Sequence, residues 1–264
     1  MNGWALVTGS SHGIGRDVAR LAAVDVSGML LTGRDESALA AVAAEIARPG
    51  LTVRTCVADL ATAAGVDRVL EHARGFDGPP ALLVNNAGLG AWGLSRALDP
   101  VAEQTILAVN IDALVKLTQA FQAAMVARGS GRILNVASTA AFQPGPRLAV
   151  YSASKAFVLH YSEALAHELA GTGVTVTALC PGPTHSHFHD RAGTRRSTLV
   201  VGGLLPVADA ASVARAGYRG AMAGRRVVVP GFVNRLAVFM VRFAPRRWTT
   251  AIAAFVARPA DGGA

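Results

Sequence analysis

Lysine is almost missing from this chain: two of its 264 residues are lysine, against twenty-three arginines. Cysteine is as scarce. Cys56 and Cys180 both sit in apolar, strand-like runs, which excludes a disulfide framework and predicts two buried, reduced thiols. Charged residues reach only 16% against 52% hydrophobic, which at this length supplies one large core. No linker, repeat or low-complexity tract breaks the chain. It enters an apolar run at Trp4, leaving no room for a secretory h-region, so a cytoplasmic protein is expected. A membrane span is not expected either, because Arg235, Arg242, Arg246 and Arg247 interrupt the apolar stretch of the tail.

What is present starts with one of the two lysines. Lys155 follows Tyr151 by four residues in Tyr-Ser-Ala-Ser-Lys, which on a helix puts phenol and ammonium on one face. A free tyrosine titrates near pH ~10 and holds its proton too tightly for two-way transfer near neutrality; a nearby positive charge is expected to pull it down. A compact ammonium suits this task better than a planar guanidinium. Ser138, at the end of the buried-strand run Gly-Arg-Ile-Leu-Asn-Val-Ala-Ser, adds a hydroxyl for the oxygen of a carbonyl substrate. The spacing alone is equally that of a Tyr and a Lys on a solvated helix face.

A second constellation lies near the N-terminus. Trp4-Ala-Leu-Val runs into Thr8-Gly9-Ser10-Ser11-His12-Gly13-Ile14-Gly15 and then a helical pattern. Strand, glycine turn and helix is the context that a dinucleotide pyrophosphate requires: glycines admit the phosphates to the backbone, and the helix N-terminus offers amides and a positive dipole. The glycine spacing is a variant of G-x-G-x-x-G.

With these motifs in place, the chain resembles the short-chain dehydrogenase/reductase family over about residues 3 to 231. The family's other landmarks recur in order: Asp59-Leu60, Asn85-Asn86-Ala87-Gly88, Asn110 and Pro181-Gly182-Pro183-Thr184. The resemblance implies an enzyme that exchanges a hydride and a proton between a nicotinamide cofactor and a carbonyl or alcohol, with Asn110, Ser138, Tyr151 and Lys155 as catalytic residues. It implies cofactor contacts from Gly9, Ser11, His12, Gly13, Ile14 and Gly15, and from Asp59 and Leu60 at the adenine. It places Asn86, Ala87 and Gly88 along the adenosine ribose, Tyr151 and Lys155 beside the nicotinamide ribose, and Pro181, Gly182 and Thr184 at the carboxamide. Asn110 is expected to hold, through its backbone, a water that links Lys155 to solvent. Local alternatives are Asp59 as a helix N-cap, Asn110 as a satisfied core amide and Thr184 as a turn residue. A homodimer or homotetramer is the implied assembly.

Cofactor choice turns on Leu30-Leu31-Thr32-Gly33-Arg34-Asp35. NAD sites place an acid at the end of the second strand, whereas NADP sites remove it and offer arginine to the 2′-phosphate. Gly33 holds the acid's place, Arg34 follows, and His12 adds a candidate donor, which favours NADP(H). NAD(H) remains open through Asp35 or Glu36, whose other reading is as first-turn acids complementing a helix dipole.

The expected fold is α/β: a Rossmann-type doubly wound parallel sheet of about seven strands with helices on both faces. Strands are predicted near 4–8, 28–32, 52–57, 81–85, 131–137, 174–180 and 226–229. Helices include Ser37 to Ala47, Glu103 to Met125 and Tyr151 to Ala170. Residues 1–231 form the nucleotide-binding domain, with a lid at about 184–206; residues 232–264 form a basic, apolar helical tail.

Candidate substrate walls are Leu89 to Leu94 with Trp92, and Ala140 to Arg147 with Phe142, which together with Ser138 and Tyr151 suit a small hydrophobic ketone or aldehyde. His185, His187 and His189 alternate in the lid, but the expected chemistry needs no metal and none is assigned. Residues 225–264 carry seven arginines and one acid. The tail is read as an amphipathic helix at an anionic membrane surface, as a cover over an interface or lid, or as a helix packed on its own domain with arginines outward. Nucleic acid is not expected, because the excess of positive charge falls on this apolar tail rather than on a broad basic patch. A catalytically silent, NADP-binding regulatory or membrane-docked protein is the alternative to the enzyme.

Overall fold

The computed structural model describes residues 3–185, 192–193 and 207–259. Seven parallel strands, β1 (Trp4–Thr8), β2 (Gly28–Gly33), β3 (Thr52–Val57), β4 (Leu82–Asn85), β5 (Gly131–Val136), β6 (Val174–Leu179) and β7 (Val227–Val228), form one sheet in the order β3-β2-β1-β4-β5-β6-β7. The chain winds outward from β1 to β3, then returns to β4 and winds the other way. Its switch point lies between β1 and β4, where a crevice opens beyond the carboxyl ends of the strands. This is the doubly wound α/β fold expected, with β7 two residues shorter than the predicted strand.

Both faces of the sheet are covered, which is why its central strands are continuous apolar runs. Alternate residues of β1 point to opposite sides: Ala5 and Val7 enter one core cluster, Trp4 and Leu6 the other. The first cluster lies under α1 (Gly13–Ala22), α2 (Glu36–Ile46) and α7 (Ala210–Met222), through Val18, Leu39, Val42 and Val213. The second lies under α3 (Ala63–Ala73), α5 (Leu114–Arg128) and α6 (Ala149–Glu168), through Val66, Leu117, Met125 and Leu165. Trp4 stacks on Phe76 at 4.6 Å between ring centroids, closing the edge of this layer. Cys56 and Cys180 are buried free thiols.

The predicted helix from Glu103 to Met125 is interrupted. α4 (Pro100–Leu107) and α5 flank a π-turn at Ala108–Ala113, which the apolar periodicity did not signal. The tail folds as two short helices, α8 (Phe232–Val241) and α9 (Arg246–Val256). No helix among the described residues is long and apolar enough to cross a membrane. Most of the predicted lid, with His187 and His189, lies outside the described residues; within it, Thr184 bridges Ala208. Among the described residues no cluster of metal-ligating side chains occurs.

Candidate active site

A single cavity of about 930 Å³ runs across the switch point and gathers motifs from most of the chain. From the first turn it takes Gly9, Ser11, His12, Gly13 and Ile14; from beyond β2, Arg34; from beyond β3, Asp59 and Leu60. Asn86, Ala87 and Gly88 line it beyond β4, Ser138 beyond β5, Tyr151 and Lys155 from α6, and Pro181, Gly182 and Thr184 beyond β6. Four of the predicted site residues stand behind or beside the wall: Gly15, Trp92, Asn110 and Phe142.

Gly15 shapes the wall from below. A Cβ there would lie 2.3 Å from both the Gly9 carbonyl oxygen and Asn86 Nδ2, so only glycine lets α1 approach the turn. Asn86 fastens the turn in place, its Nδ2 donating to the carbonyls of Thr8 at 2.9 Å and Gly9 at 3.0 Å. Thr8 Oγ1 in return accepts from the Asn86 and Ala87 amides. Asn85, by contrast, faces the core, donating to Thr118 Oγ1 and Asn135 Oδ1 and so tying β4 to α5 and β5.

A dinucleotide fits this end of the cavity. His12, the N-cap residue of α1, makes no side-chain cap, so the first amides of the helix stay available to an anion. Ser11 Oγ is buried without a hydrogen-bond partner at the cavity wall. At the end of β2 a Cβ on Gly33 would lie 2.5 Å from that hydroxyl, so a side chain at this position would have to displace Ser11 Oγ. Asp35 Oδ1 caps α2, accepting from the Ala38 amide at 3.0 Å and from Ser37 Oγ at 2.8 Å. Asp59 is not the N-cap of α3, a place Thr62 takes; its carboxylate instead accepts from the Ala61 amide at 3.0 Å. Thr184 Oγ1 donates to the Gly182 carbonyl at 2.9 Å, holding the turn after β6 at the cavity.

At the other end, Ser138, Tyr151 and Lys155 meet. Ser138 Oγ accepts from the Ala140 amide at 3.1 Å, which fixes the hydroxyl at the mouth of β5. Lys155 is buried, and its Nζ donates to the Val136 carbonyl at 2.8 Å and lies 5.9 Å from the Tyr151 ring centroid. Burial disfavours the ammonium and lowers Lys155 from its ordinary 10.5 to about 8. For Tyr151 the expected downward pull is overturned: burial raises the phenol above its ordinary value, and a hydrogen bond with Ser138 only partly offsets this. Desolvation is the dominant influence on the enclosed phenol.

Asn110 is a buried amide in the π-turn, and it staples the loop after β4. Its Nδ2 donates to the Leu89 carbonyl at 3.0 Å and to Ser154 Oγ at 2.9 Å, while its Oδ1 accepts from the Leu89 amide at 2.8 Å. Phe142 does not face the cavity; it packs against the cluster of Ala141, Val158 and Ala178. Trp92 sits at the rim, where its indole N–H donates to the Ala257 carbonyl at 2.9 Å and the Arg147 guanidinium lies over its ring.

The tail supplies the wall that the sequence reading missed. Ala237, Met240, Val241 and Ala244 of the α8 segment line the cavity, as do Thr249, Ile252, Ala253 and Val256 of α9. Both sets have the i, i+3, i+4, i+7 spacing of one helix face. That spacing is present in the sequence, but helices apolar on several sides do not disclose which side turns inward.

Known proteins agree with this arrangement. A family model described as short chain dehydrogenase matches residues 3–196. A probable oxidoreductase, EphD of Mycobacterium tuberculosis, is 39% identical over 179 residues, 67% of this chain but only 30% of that protein's length. Among solved structures, a short-chain dehydrogenase from Sphingobium yanoikuyae in complex with NADPH superposes with a TM-score of 0.80 at 29% identity, covering 91% of this chain and 93% of that one. A 3-ketoacyl-(acyl-carrier-protein) reductase from Brucella melitensis complexed with NADH gives 0.74 at 28% identity, covering 86% and 96%. Fold, crevice and motif order thus lead to one conclusion: the chain belongs to the short-chain dehydrogenase/reductase family of nicotinamide-dependent oxidoreductases.

Proposed function

We propose that the chain is an NADP(H)-dependent reductase and dehydrogenase of an apolar ketone or aldehyde and its alcohol, with Tyr151 as general acid and base. The observation that carries this reading is the convergence of Ser138, Tyr151 and Lys155 on one cavity with the uncapped N-terminus of α1. When bound, the nicotinamide would supply a hydride to the carbonyl carbon. Tyr151 gives its proton to the carbonyl oxygen, and Ser138 donates a hydrogen bond to that oxygen as negative charge builds. Lys155, held by Val136, keeps its ammonium 5.9 Å from the Tyr151 ring centroid, where its charge favours the phenolate left after transfer, and it would hold the nicotinamide ribose when the cofactor binds. Asn110 fixes Leu89 and with it the floor beside Gly88, and its place in a π-turn suits the proposed water path from Lys155.

NADP(H) is favoured over NAD(H) by three features of the β2 end. Gly33 leaves no acid for the ribose 2′-hydroxyl, Arg34 lines the cavity, and Asp35 is already engaged as the cap of α2. Ser11, His12, Gly13 and Ile14 would hold the pyrophosphate, Asp59 and Leu60 the adenine, and Thr184 the carboxamide. The apolar substrate is favoured by the tail wall of Met240, Val241, Ile252 and Val256.

A panel of ketones, 3-oxoacyl thioesters, steroids and aldehydes, read at the nicotinamide absorbance with NADPH and NADH, tests the reading. Turnover is expected with apolar carbonyls and with NADPH ahead of NADH. Tyr151→Phe is expected to abolish turnover while fluorescence titration shows NADPH binding unchanged. Silence across the panel, or full activity in the variant, would overturn the assignment.

A further inference from the structure

Twelve large apolar side chains are exposed among the described residues, and nine of them fall between Phe232 and Phe255. One face of α8 and one of α9 are accounted for by the cavity. The remaining face is apolar too: Phe232, Leu236, Phe239 and Phe243 recur at helical spacing, with Trp248 beyond them, and Phe232 and Phe243 are 71% and 68% exposed. A helix apolar on both sides has to be covered on both. Interleaved with these side chains are Arg235, Arg242, Arg246 and Arg247, all exposed, and no acidic residue occurs from 232 to 259.

We propose that the outer face of α8 and α9 docks on an anionic lipid surface. Phenylalanines and the tryptophan enter the boundary between headgroups and acyl chains, and the arginines meet lipid phosphates, which they match as bidentate donors. The helices lie in the interface rather than cross it: ten and eleven residues span roughly 15 Å each, half of a hydrocarbon core. A second copy of the chain is a poorer occupant, because a two-fold contact would set these arginines against their own counterparts with no carboxylate between. Since the adjoining faces of α8 and α9 line the cavity, docking sets that wall beside the bilayer, where an apolar molecule can reach it without crossing water. The docking itself rests on the surface and stands whatever reaction the cavity performs.

Flotation of the full chain with vesicles tests this directly. The protein is expected to float with phosphatidylcholine mixed with phosphatidylglycerol, to stay behind with phosphatidylcholine alone, and to be released by raised salt. Combined Arg242→Glu, Arg246→Glu and Arg247→Glu should weaken partitioning by at least about a hundredfold. Phe239→Ser with Phe243→Ser should abolish it. Unchanged thermal melts and unchanged NADPH titrations in both variants separate lost docking from lost folding; a variant that fails these controls is replaced by Phe232→Ser alone, for which weakened flotation is expected. Absence of flotation, equal flotation on neutral vesicles, or a solution dimer that dissolves in the phenylalanine variant would each overturn the proposal.

Discussion

Lys155 holds its ammonium where burial works against it, and that conflict is measurable. In the folded chain its proton is lost at about 8, whereas in the unfolded chain it is held to its ordinary 10.5. Between those values the unfolded state binds more protons, so apoprotein stability should rise with pH across this window. Below about 8 the cost of burying the charge is fully present; above 10.5 it is gone. A Lys155→Met variant lacks this dependence, so the stability difference between the two proteins, from urea unfolding at a series of pH values, should shift toward the native protein between 8 and 10.5. The whole change is on the order of 3 kcal/mol. A pH-independent difference would mean that the ammonium is not desolvated as the structure shows. Tyr151 contributes with the opposite sign above its ordinary 10, because its folded-state value is raised and the unfolded chain ionises first.

Among the secondary-structure elements, the π-turn at Ala108–Ala113 departs most from what periodicity predicts. A strict helix from Pro100 to Arg128 would carry Asn110 through a uniform register; one wide turn re-aims it, so that a single amide engages both backbone groups of Leu89 and the hydroxyl of Ser154. Asn110→Ala leaves the Leu89 amide and carbonyl and the Ser154 hydroxyl without this partner. Unfolding in urea should show a loss of about 2 kcal/mol, and turnover should fall as the loop beside Gly88 loosens. Stability equal to that of the native chain would show that the clamp is not formed in solution. Asparagine in Leu-Ala-Val-Asn-Ile was legible as a candidate from its motif, but its side-chain partner was not: Leu89 lies 21 residues away and meets it only because β4 and α4 end at the same rim.

The whole molecule is closed by its tail. α8 and α9 wall the cavity, and the bond from the Trp92 indole to the Ala257 carbonyl joins the loop after β4 to the end of α9 across 165 residues. Trp92→Phe keeps the aromatic ring and removes that bond. The expected outcome is a KM for the carbonyl substrate raised about fivefold with a smaller change in NADPH affinity, because the lost bond anchors the end of α9 at the loop after β4. An equal effect on both ligands would mean that Trp92 supports the cavity as a whole. The rim tryptophan and the half-buried Phe142 mark the limit of reading a pocket from apolar composition, since both are aromatic residues beside the motifs and neither lines the cavity.

Ordered motifs, and the family resemblance they carry, were enough to place the chain among oxidoreductases. Alternating apolar runs and helix periods lead to a parallel sheet, glycines after the first strand lead to a phosphate turn, and Tyr151 with Lys155 four residues on leads to one helix face. Each of these rests on periods of two and 3.6 residues or on backbone conformations that few residues can adopt, so sequence alone carries them. Tertiary structure decided what depends on neighbours distant in the chain. It turned Tyr151 upward rather than downward by enclosing the phenol, gave Asn110 its clamp on Leu89, and packed Phe142 against a core cluster away from the cavity. It also divided the apolar tail into an inner face on the cavity and an outer face edged with arginine, because which of two apolar sides of a helix is buried depends on what it packs against.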